Sequence, residues 1–127
     1  MQLKKVMDAY LADTPDCLLV AYIDMASGLV LCSAGRKSTS QEILDRLASI
    51  GTSMFLGQSL SEWGTLAGAT DMDRAMIYNG GHLYYYLRME RFPDHALCFV
   101  CRRSTDTGVL RQRALVVRKE VAVAFCY

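Results

Sequence analysis

The sequence has almost no net charge, few prolines and no long apolar run, and each of these absences excludes a class of protein. Its 14 basic and 13 acidic residues leave a net charge of +1, so no overall field attracts nucleic acid or an anionic membrane. With 2 prolines and 9 glycines, the chain is not collagen-like or linker-dominated. No run approaches the roughly 18 apolar residues of a membrane-spanning helix. We therefore expect no nucleic-acid partner and no membrane insertion.

The size and apolar content of the chain predict one domain with a covered apolar surface. A length of 127 residues is typical of one domain, so we assign residues 1–127 to it. The mean hydropathy of +0.14 favours a second copy or a partner over part of the surface, although a sheet buried on both faces would also raise it. The first twelve residues include Lys4, Lys5 and Asp8 and lack the apolar core of a signal peptide. We expect a cytoplasmic protein.

Cysteine is present in an odd number, and none is needed as a staple at this length. Cys98 and Cys101 form a C-x-x-C pattern, but residues three apart on a strand face opposite sides of the sheet. This spacing argues against a redox pair or a zinc site. We expect reduced, buried thiols and no bound metal.

Hydrophobic periodicity predicts the element order α-β-β-α-β-β-β-α. A short first helix precedes two apolar strands joined by a hairpin at Gly28, and both strands are expected to be covered on both faces. A second hairpin turns at 79–81. The predicted elements are a helix over 3–11, strands over 17–23, 29–32, 73–79, 82–89 and 96–101, and a long last helix after 108.

The middle helix is expected to begin in the segment 38–42, which offers a capping hydroxyl followed by an acid, and it can continue toward Trp63 before a loop at 65–73. Its spacing points Ile43, Leu44, Leu47, Ile50 and Met54 inward. In the last helix, the spacing points Leu110, Ala114, Val117, Val121 and Ala124 inward, and Arg111, Arg118 and Lys119 outward.

No catalytic arrangement is visible. His82 and His95 lie beside predicted turns, and neither accompanies a nucleophile in an elbow motif. The polar loop at 36–38 lies between a strand and a helix but lacks the glycine spacing of a phosphate-binding loop. Tyr85 is predicted to lie in the core, which argues against a stacking platform for single-stranded nucleic acid. We expect a protein that is not an enzyme and has no catalytic residue, cofactor or metal.

Four segments carry a resemblance to a known family. The sequence reads DMASGLV at 24–30, NGGHLYYYL at 79–87, DHALCFV at 94–100 and TGVLR at 107–111. With the element order, they resemble the roadblock/dynein light chain family over nearly the whole chain. The resemblance implies an α+β, profilin-like sandwich, in which the first and last helices cover one face of a five-stranded antiparallel sheet and the middle helix covers the other. It offers no catalytic triad and no cofactor site.

The resemblance also implies a function. Family members form homodimers or heterodimers that regulate or scaffold Ras-like small GTPases, and some attach to dynein. The bacterial members similar to this chain include the GTPase-activating partner of a gliding-motility GTPase. We therefore expect a homodimer that binds a Ras-like small GTPase, with Arg36 and Arg46 as the candidates for an arginine finger.

Two surfaces follow from this expectation. The strand at 73–79 would lie at a sheet edge and pair with its twin, beside the two middle helices. The expected dimer interface comprises Ile43, Leu47, Ile50, Met54, Ala75 and Ile77. Gln41, Asp45, Ser49 and Ser53 follow one another at i, i+4 and are the expected partner-binding strip.

Two other functions stay open. A small-molecule sensor of profilin-like or PAS-like architecture is the main alternative, and an apolar pocket of several hundred Å³ in the monomer would favour it. A filled core with a large symmetric interface would favour the GTPase regulator instead. An enzyme with an unrecognised site has the least support.

Overall fold

Each apolar segment forms the element that its periodicity predicts. The computed structural model describes residues 2–56 and 73–125. Its elements are α1 (Gln2–Asp13), β1 (Cys17–Asp24), β2 (Leu29–Gly35), α2 (Gln41–Leu56), β3 (Arg74–Asn79), β4 (His82–Arg88), β5 (His95–Arg102) and α3 (Thr107–Phe125). This confirms the predicted order. The predicted extension of α2 toward Trp63 and, apart from Asp73, the loop at 65–73 lie outside the described residues.

The strands form one five-stranded sheet in the order β2-β1-β5-β4-β3. Every neighbouring pair is antiparallel. Both predicted hairpins are present, and their turns place Gly28 at φ 74 and Gly80 at φ 62, a region that residues with a Cβ rarely adopt. The central strands β1 and β5 are buried, whereas β2 and β3 are the edges. The expected edge position of β3 is therefore confirmed.

The sheet separates two hydrophobic clusters. On one face, Met7 and Tyr10 of α1 and Val117 of α3 pack on the sheet, where the Tyr10 ring lies 5.3 Å from that of Phe99. On the other face, Leu47 of α2 packs with strand residues of the second cluster. The clusters place α1 and α3 on one face and α2 on the other, as the resemblance implies.

The expected cover on both faces of β2 is wrong, because this strand is an edge of the sheet. Leu29 and Leu31 are exposed. A bulge between Tyr22 and Ile23 shifts the register where β2 begins. The strand also continues to Gly35, past its predicted end, because Ala34 still pairs with Val20 of β1.

Two helical side chains differ from their predicted orientation. Ile43, expected to point inward, is 49% exposed because it lies on the flank of α2 rather than over the strands. Arg118, expected to point outward, has a side chain only 12% exposed. Its Nη1 donates a hydrogen bond of 3.0 Å to the Arg88 carbonyl, and its guanidinium lies 3.6 Å from the Glu90 carboxylate. The apolar stem of an arginine can be buried where its head finds acceptors.

Candidate functional site

A capped first turn fixes the start of α2, the element on which both expected surfaces depend. Ser40 precedes the helix, and its Oγ accepts a hydrogen bond of 3.3 Å from the backbone N–H of Ile43. The Ser40 carbonyl accepts the first helical bond, from the N–H of Leu44 at 3.2 Å. Ser40 is thus the capping hydroxyl that the sequence predicts within 38–42.

A groove of about 690 Å³ lies between α2 and the sheet, and we call it the α2 groove. It forms because α2 packs over β1 and β2 and, among residues 2–56 and 73–125, nothing fills the space between α2 and the β3 edge. Leu47, Tyr86 and Val100 are buried parts of its lining. Further apolar lining comes from Leu18, Leu19, Ile43, Ile50, Ile77 and Tyr84.

Cationic side chains lie around the α2 groove. Lys37, Arg46 and Arg102 contribute to its lining, together with Arg36 and His82. Among the described residues that line it, none is acidic. Arg102 lies 3.9 Å from the Asp16 carboxylate in an exposed pair, a type of contact that contributes little to stability. The groove thus joins an apolar lining to a positive margin.

The Arg36 side chain forms hydrogen bonds within its own chain, where it stabilises the fold rather than binding a ligand. Its Nε donates to the Cys17 carbonyl at 2.7 Å, and its Nη2 donates to the carbonyls of Leu11 and Thr14 at 2.5 and 2.6 Å. These acceptors lie at the end of α1, in the following turn and at the start of β1. Of the two expected arginine-finger candidates, only Arg46 lacks such a set of bonds within the described residues.

Tyr86 joins α2 to the sheet beneath the groove. Its hydroxyl donates a hydrogen bond of 3.0 Å to the Leu47 carbonyl. Burial, with a smaller contribution from Cys98, raises the pKa of Tyr86, so the phenol stays protonated and can donate. Gly51 allows this close approach, because a Cβ there would lie 3.2 Å from Cε2 of Tyr86. This hydrogen bond therefore fastens α2 to β4 at one wall of the groove.

The expected dimer-interface residues differ in burial and fall into three classes. Leu47 is 3% exposed and belongs to the core of its own chain, so it supports the surface from beneath. Ile43 is exposed, and the remaining four residues are half-buried: Ile50, Met54, Ala75 and Ile77. Ile43, Ile50 and Ile77 line the α2 groove together. The structure thus brings α2 and β3 to one apolar surface.

The expected partner-binding strip is fully on the surface. Gln41, Asp45, Ser49 and Ser53 are all exposed. The Gln41 side chain donates a hydrogen bond of 2.8 Å to Oδ1 of Asp45. The i, i+4 spacing therefore presents one continuous polar row along α2, as the sequence predicts.

The cysteines are placed as core residues. Cys17, Cys98 and Cys101 are buried and free, Cys32 is half-buried and free, and Cys126 lies outside the described residues. Cys98 belongs to the cluster beneath α2 and Cys101 to the opposite one, so the two thiols of the C-x-x-C pattern face opposite sides. Burial raises the pKa of Cys98 to about 12, far from that of a reactive thiol.

The two histidines do not converge on a site. His82 is exposed at the margin of the groove, whereas His95 is half-buried, with Nδ1 2.8 Å from the Tyr22 hydroxyl. Across residues 2–56 and 73–125, no group of three or more potential metal ligands comes together. Within the same ranges, no helix combines the length and apolar character needed to cross a membrane.

Sequence reasoning misses the cationic margin of the groove. Lys37, Arg46 and Arg102 are far apart in sequence and come together only because the ends of β2 and β5 lie near the start of α2. The polar loop after β2 is the only visible signal. The three hydrogen bonds that Arg36 donates have no signal in the sequence, because their acceptors are backbone carbonyls.

Comparison by sequence with protein families and with characterised proteins finds no match. Solved structures, however, share the fold over nearly the whole chain. A Roadblock/LC7 domain from Streptomyces avermitilis superposes with a TM-score of 0.79 at 17% identity and covers 100% of both chains. The structure of Myxococcus xanthus MglB superposes with a TM-score of 0.78 at 18% identity, and the match covers 98% of this chain and 95% of the MglB chain.

A third structure, the gliding protein MglB from Thermus thermophilus, gives a TM-score of 0.72 at 16% identity and covers 95% of this chain and 86% of its own. The three structures come from different proteins, and each is less than one-fifth identical to this chain. Their agreement concerns the arrangement of helices and strands. The chain therefore has the Roadblock/LC7 fold, as its sequence resemblance implies.

Proposed function

We propose that this chain is a homodimeric regulator or scaffold of a Ras-like small GTPase. The observation that carries the proposal is the likeness to MglB, a bacterial small-GTPase regulator, over 98% of the chain. The surface chemistry agrees with such a role, because α2 has an apolar flank for a second copy and a polar row for a partner. Regulation here occurs through binding of the GTPase.

The dimer forms through β3 and α2. Pairing of two β3 edges continues the sheet across a two-fold axis and covers their unpaired backbone groups. The same axis brings α2 of the second copy to the open part of the sheet, where its apolar flank fills the α2 groove. Ile43, Ile50 and Ile77 then become buried in an interface of the kind that stable homodimers have.

The GTPase binds the polar row on the two α2 helices. The two-fold axis places two rows side by side, and each presents Asp45 and two serines. Any acceleration of GTP hydrolysis comes from reshaping of the GTPase's own residues or from Arg46, since Arg36 is held by three carbonyls. The two forms that this regulation can take are acceleration of hydrolysis and tethering of the GTPase without it.

A pulldown from native cell extract tests the proposal. The tagged chain is incubated with GDP or with a non-hydrolysable GTP analogue, and bound proteins are identified by mass spectrometry. We expect a Ras-like GTPase whose capture depends on the nucleotide. Asp45→Lys combined with Ser49→Arg should abolish capture while the dimer persists, because it reverses the charge of the row without touching the groove.

Asp8→Lys is the matched control, since Asp8 is exposed on α1, away from α2, and forms an i, i+4 pair with Lys4. This variant should capture the GTPase like the parent. Equal capture by the Asp45→Lys/Ser49→Arg chain would place the docking surface elsewhere, with the exposed basic residues Arg111 and Lys119 of α3 as the next candidates. Absence of any GTPase under both nucleotide conditions would contradict the proposal.

The α2 groove also favours one alternative, a small-molecule sensor. Its volume of about 690 Å³ is within the range of ligand pockets, and its positive margin suits an anionic amphiphile. The anionic fluorophore anilinonaphthalene sulfonate separates the two functions. A regulator dimer with a filled groove should not bind it, whereas saturable binding of one molecule per chain to the intact dimer would favour the sensor.

A further inference from the structure

A row of exposed valines runs along α3, on the face of the sheet opposite to α2. Val109, Val116 and Val123 are 51%, 57% and 62% exposed. Each is seven residues from the next, which is close to two helical turns, so all three lie on one side of the helix. The proposed dimer through α2 and β3 leaves this row uncovered.

The valine row borders a groove of about 480 Å³ between α1 and α3. Val116 lines it, opposite Ala9 and Tyr10 of α1. Arg113 and Glu120 also line it, roughly one helical turn to either side of Val116. Both charged side chains are exposed, and within the described residues neither forms an ion pair.

The valine row and its two flanking charges form a surface that is complementary to the same surface on a second copy. A two-fold axis near Val116 aligns two α3 helices antiparallel, which places Arg113 of each copy opposite Glu120 of the other. The same axis sets Val109 against Val123 and Val116 near its twin. Apolar contacts along the seam and two opposite-charge pairs beside it are the arrangement that stabilises antiparallel helix pairs.

We propose that α3 is a second self-association surface, on which α3 of another copy packs antiparallel. A second copy fits better than a membrane, because the groove carries Asp13 and Glu120 as well as Arg113, whereas anionic lipid attracts surfaces of positive charge. The α3 contact itself is independent of the proposed function. Only the prediction of four chains rests on the proposed dimer through α2 and β3.

Mass measurement in solution separates the two interfaces. Light scattering and sedimentation of the parent should give the mass of four chains or more, each of 14.2 kDa. Val116→Lys should give two chains, because lysine places a charge in the α3 seam. Ile77→Arg should also give two chains, now joined through α3. The variant with both changes should be a monomer.

The Val116→Lys variant should still fold, because Val116 is exposed and lysine has a higher helix propensity than valine. A change in its mass therefore reports on association. Leu31→Lys is the matched control, an exposed apolar residue on β2, and it should keep the parent's mass. A two-chain mass for both the parent and Val116→Lys would overturn the α3 proposal. A two-chain parent with a monomeric Val116→Lys would support the α3 contact and contradict the dimer through β3.

Charge exchange tests the antiparallel alignment in the Ile77→Arg background, where association reports on α3 alone. Arg113→Glu sets two glutamates against each other, and Glu120→Arg sets two arginines against each other. Either change should weaken association about tenfold or more. The double exchange recreates opposite-charge pairs and should restore the parent's affinity. Failure of the double exchange to restore association would overturn this alignment.

Discussion

At the scale of single residues, the exposed side chain of Arg36 joins three parts of the fold. Its guanidinium joins three carbonyls from the end of α1 to the start of β1. Hydrogen bonds from a charged donor contribute more than neutral ones, and the carbonyls of Leu11 and Thr14 would keep only their backbone donors, the N–H groups of Thr14 and Cys17. We expect Arg36→Ala to lower the free energy of unfolding by about 2–3 kcal/mol, measured by urea denaturation.

Two matched variants make this result specific. Lys37→Ala removes a neighbouring exposed cation and should change the free energy of unfolding by less than about 0.5 kcal/mol. Arg36→Lys keeps the charge but loses the planar fork, so it should give an intermediate loss. If Arg36→Ala and Lys37→Ala unfold at the same urea concentration, the carbonyl bonds add no stability.

For single residues, the sequence predicts which apolar side chains are buried, but it predicts poorly which hydrogen bonds the polar side chains form. Tyr85, Leu110 and Val121 are buried where periodicity predicts, because apolar spacing reports directly on which side of an element faces the core. Helical spacing places Arg118 in solvent, whereas in the structure it donates to the backbone carbonyl of Arg88. A carbonyl has no sequence signature, so such a partner can be found only from coordinates.

At the scale of the elements, the cap of α2 lies close to the groove, because Ile43 and Arg46 of the groove lining belong to the first two turns of the helix. Ser40→Ala removes the bond to the N–H of Ile43 and should cost about 1 kcal/mol of unfolding free energy. Ser40→Asp should retain stability, because its carboxylate can accept the same bond. Ser38→Ala is the control, since Ser38 precedes the cap and is exposed.

Amide hydrogen exchange locates the effect. The amides of the first turn of α2 should exchange faster in Ser40→Ala, while those of α3 should be unchanged. Uniform acceleration across both helices would mean that the cap acts on global rather than local stability. Unchanged exchange and unchanged unfolding in Ser40→Ala would show that the cap does not stabilise α2.

Element order is predictable because turns and apolar runs alternate clearly along this chain. Whether helices cover both faces of β2 is not predictable from the sequence. A continuous apolar run is found both in central strands and in edge strands that carry exposed leucines. The α2 groove is also beyond sequence reasoning. Its lining comes from the ends of several strands, and their alignment depends on sheet order rather than on any local pattern.

At the scale of the whole molecule, the part of the chain that the structure describes leaves one face of the sheet incompletely covered, and this links stability to concentration. If α2 of a second copy fills the α2 groove, association stabilises the folded chain by mass action. In the Val116→Lys background, which removes the α3 contact, each tenfold rise in concentration should add about 1.4 kcal/mol of unfolding free energy per dimer. The unfolding temperature of that chain should therefore rise steadily with concentration in calorimetry.

The control for this prediction adds Ile77→Arg to the same chain and should show no dependence on concentration, since neither interface remains. Ile43→Arg serves as a second variant, because its side chain is exposed and its replacement leaves the core intact. Both changes place a charge among the apolar walls of the groove, where a partner helix would have to bury it without a counter-charge. A Val116→Lys chain whose unfolding temperature stays constant over a hundredfold range of concentration would contradict the dimer, because no association through the α2 groove would then be coupled to folding.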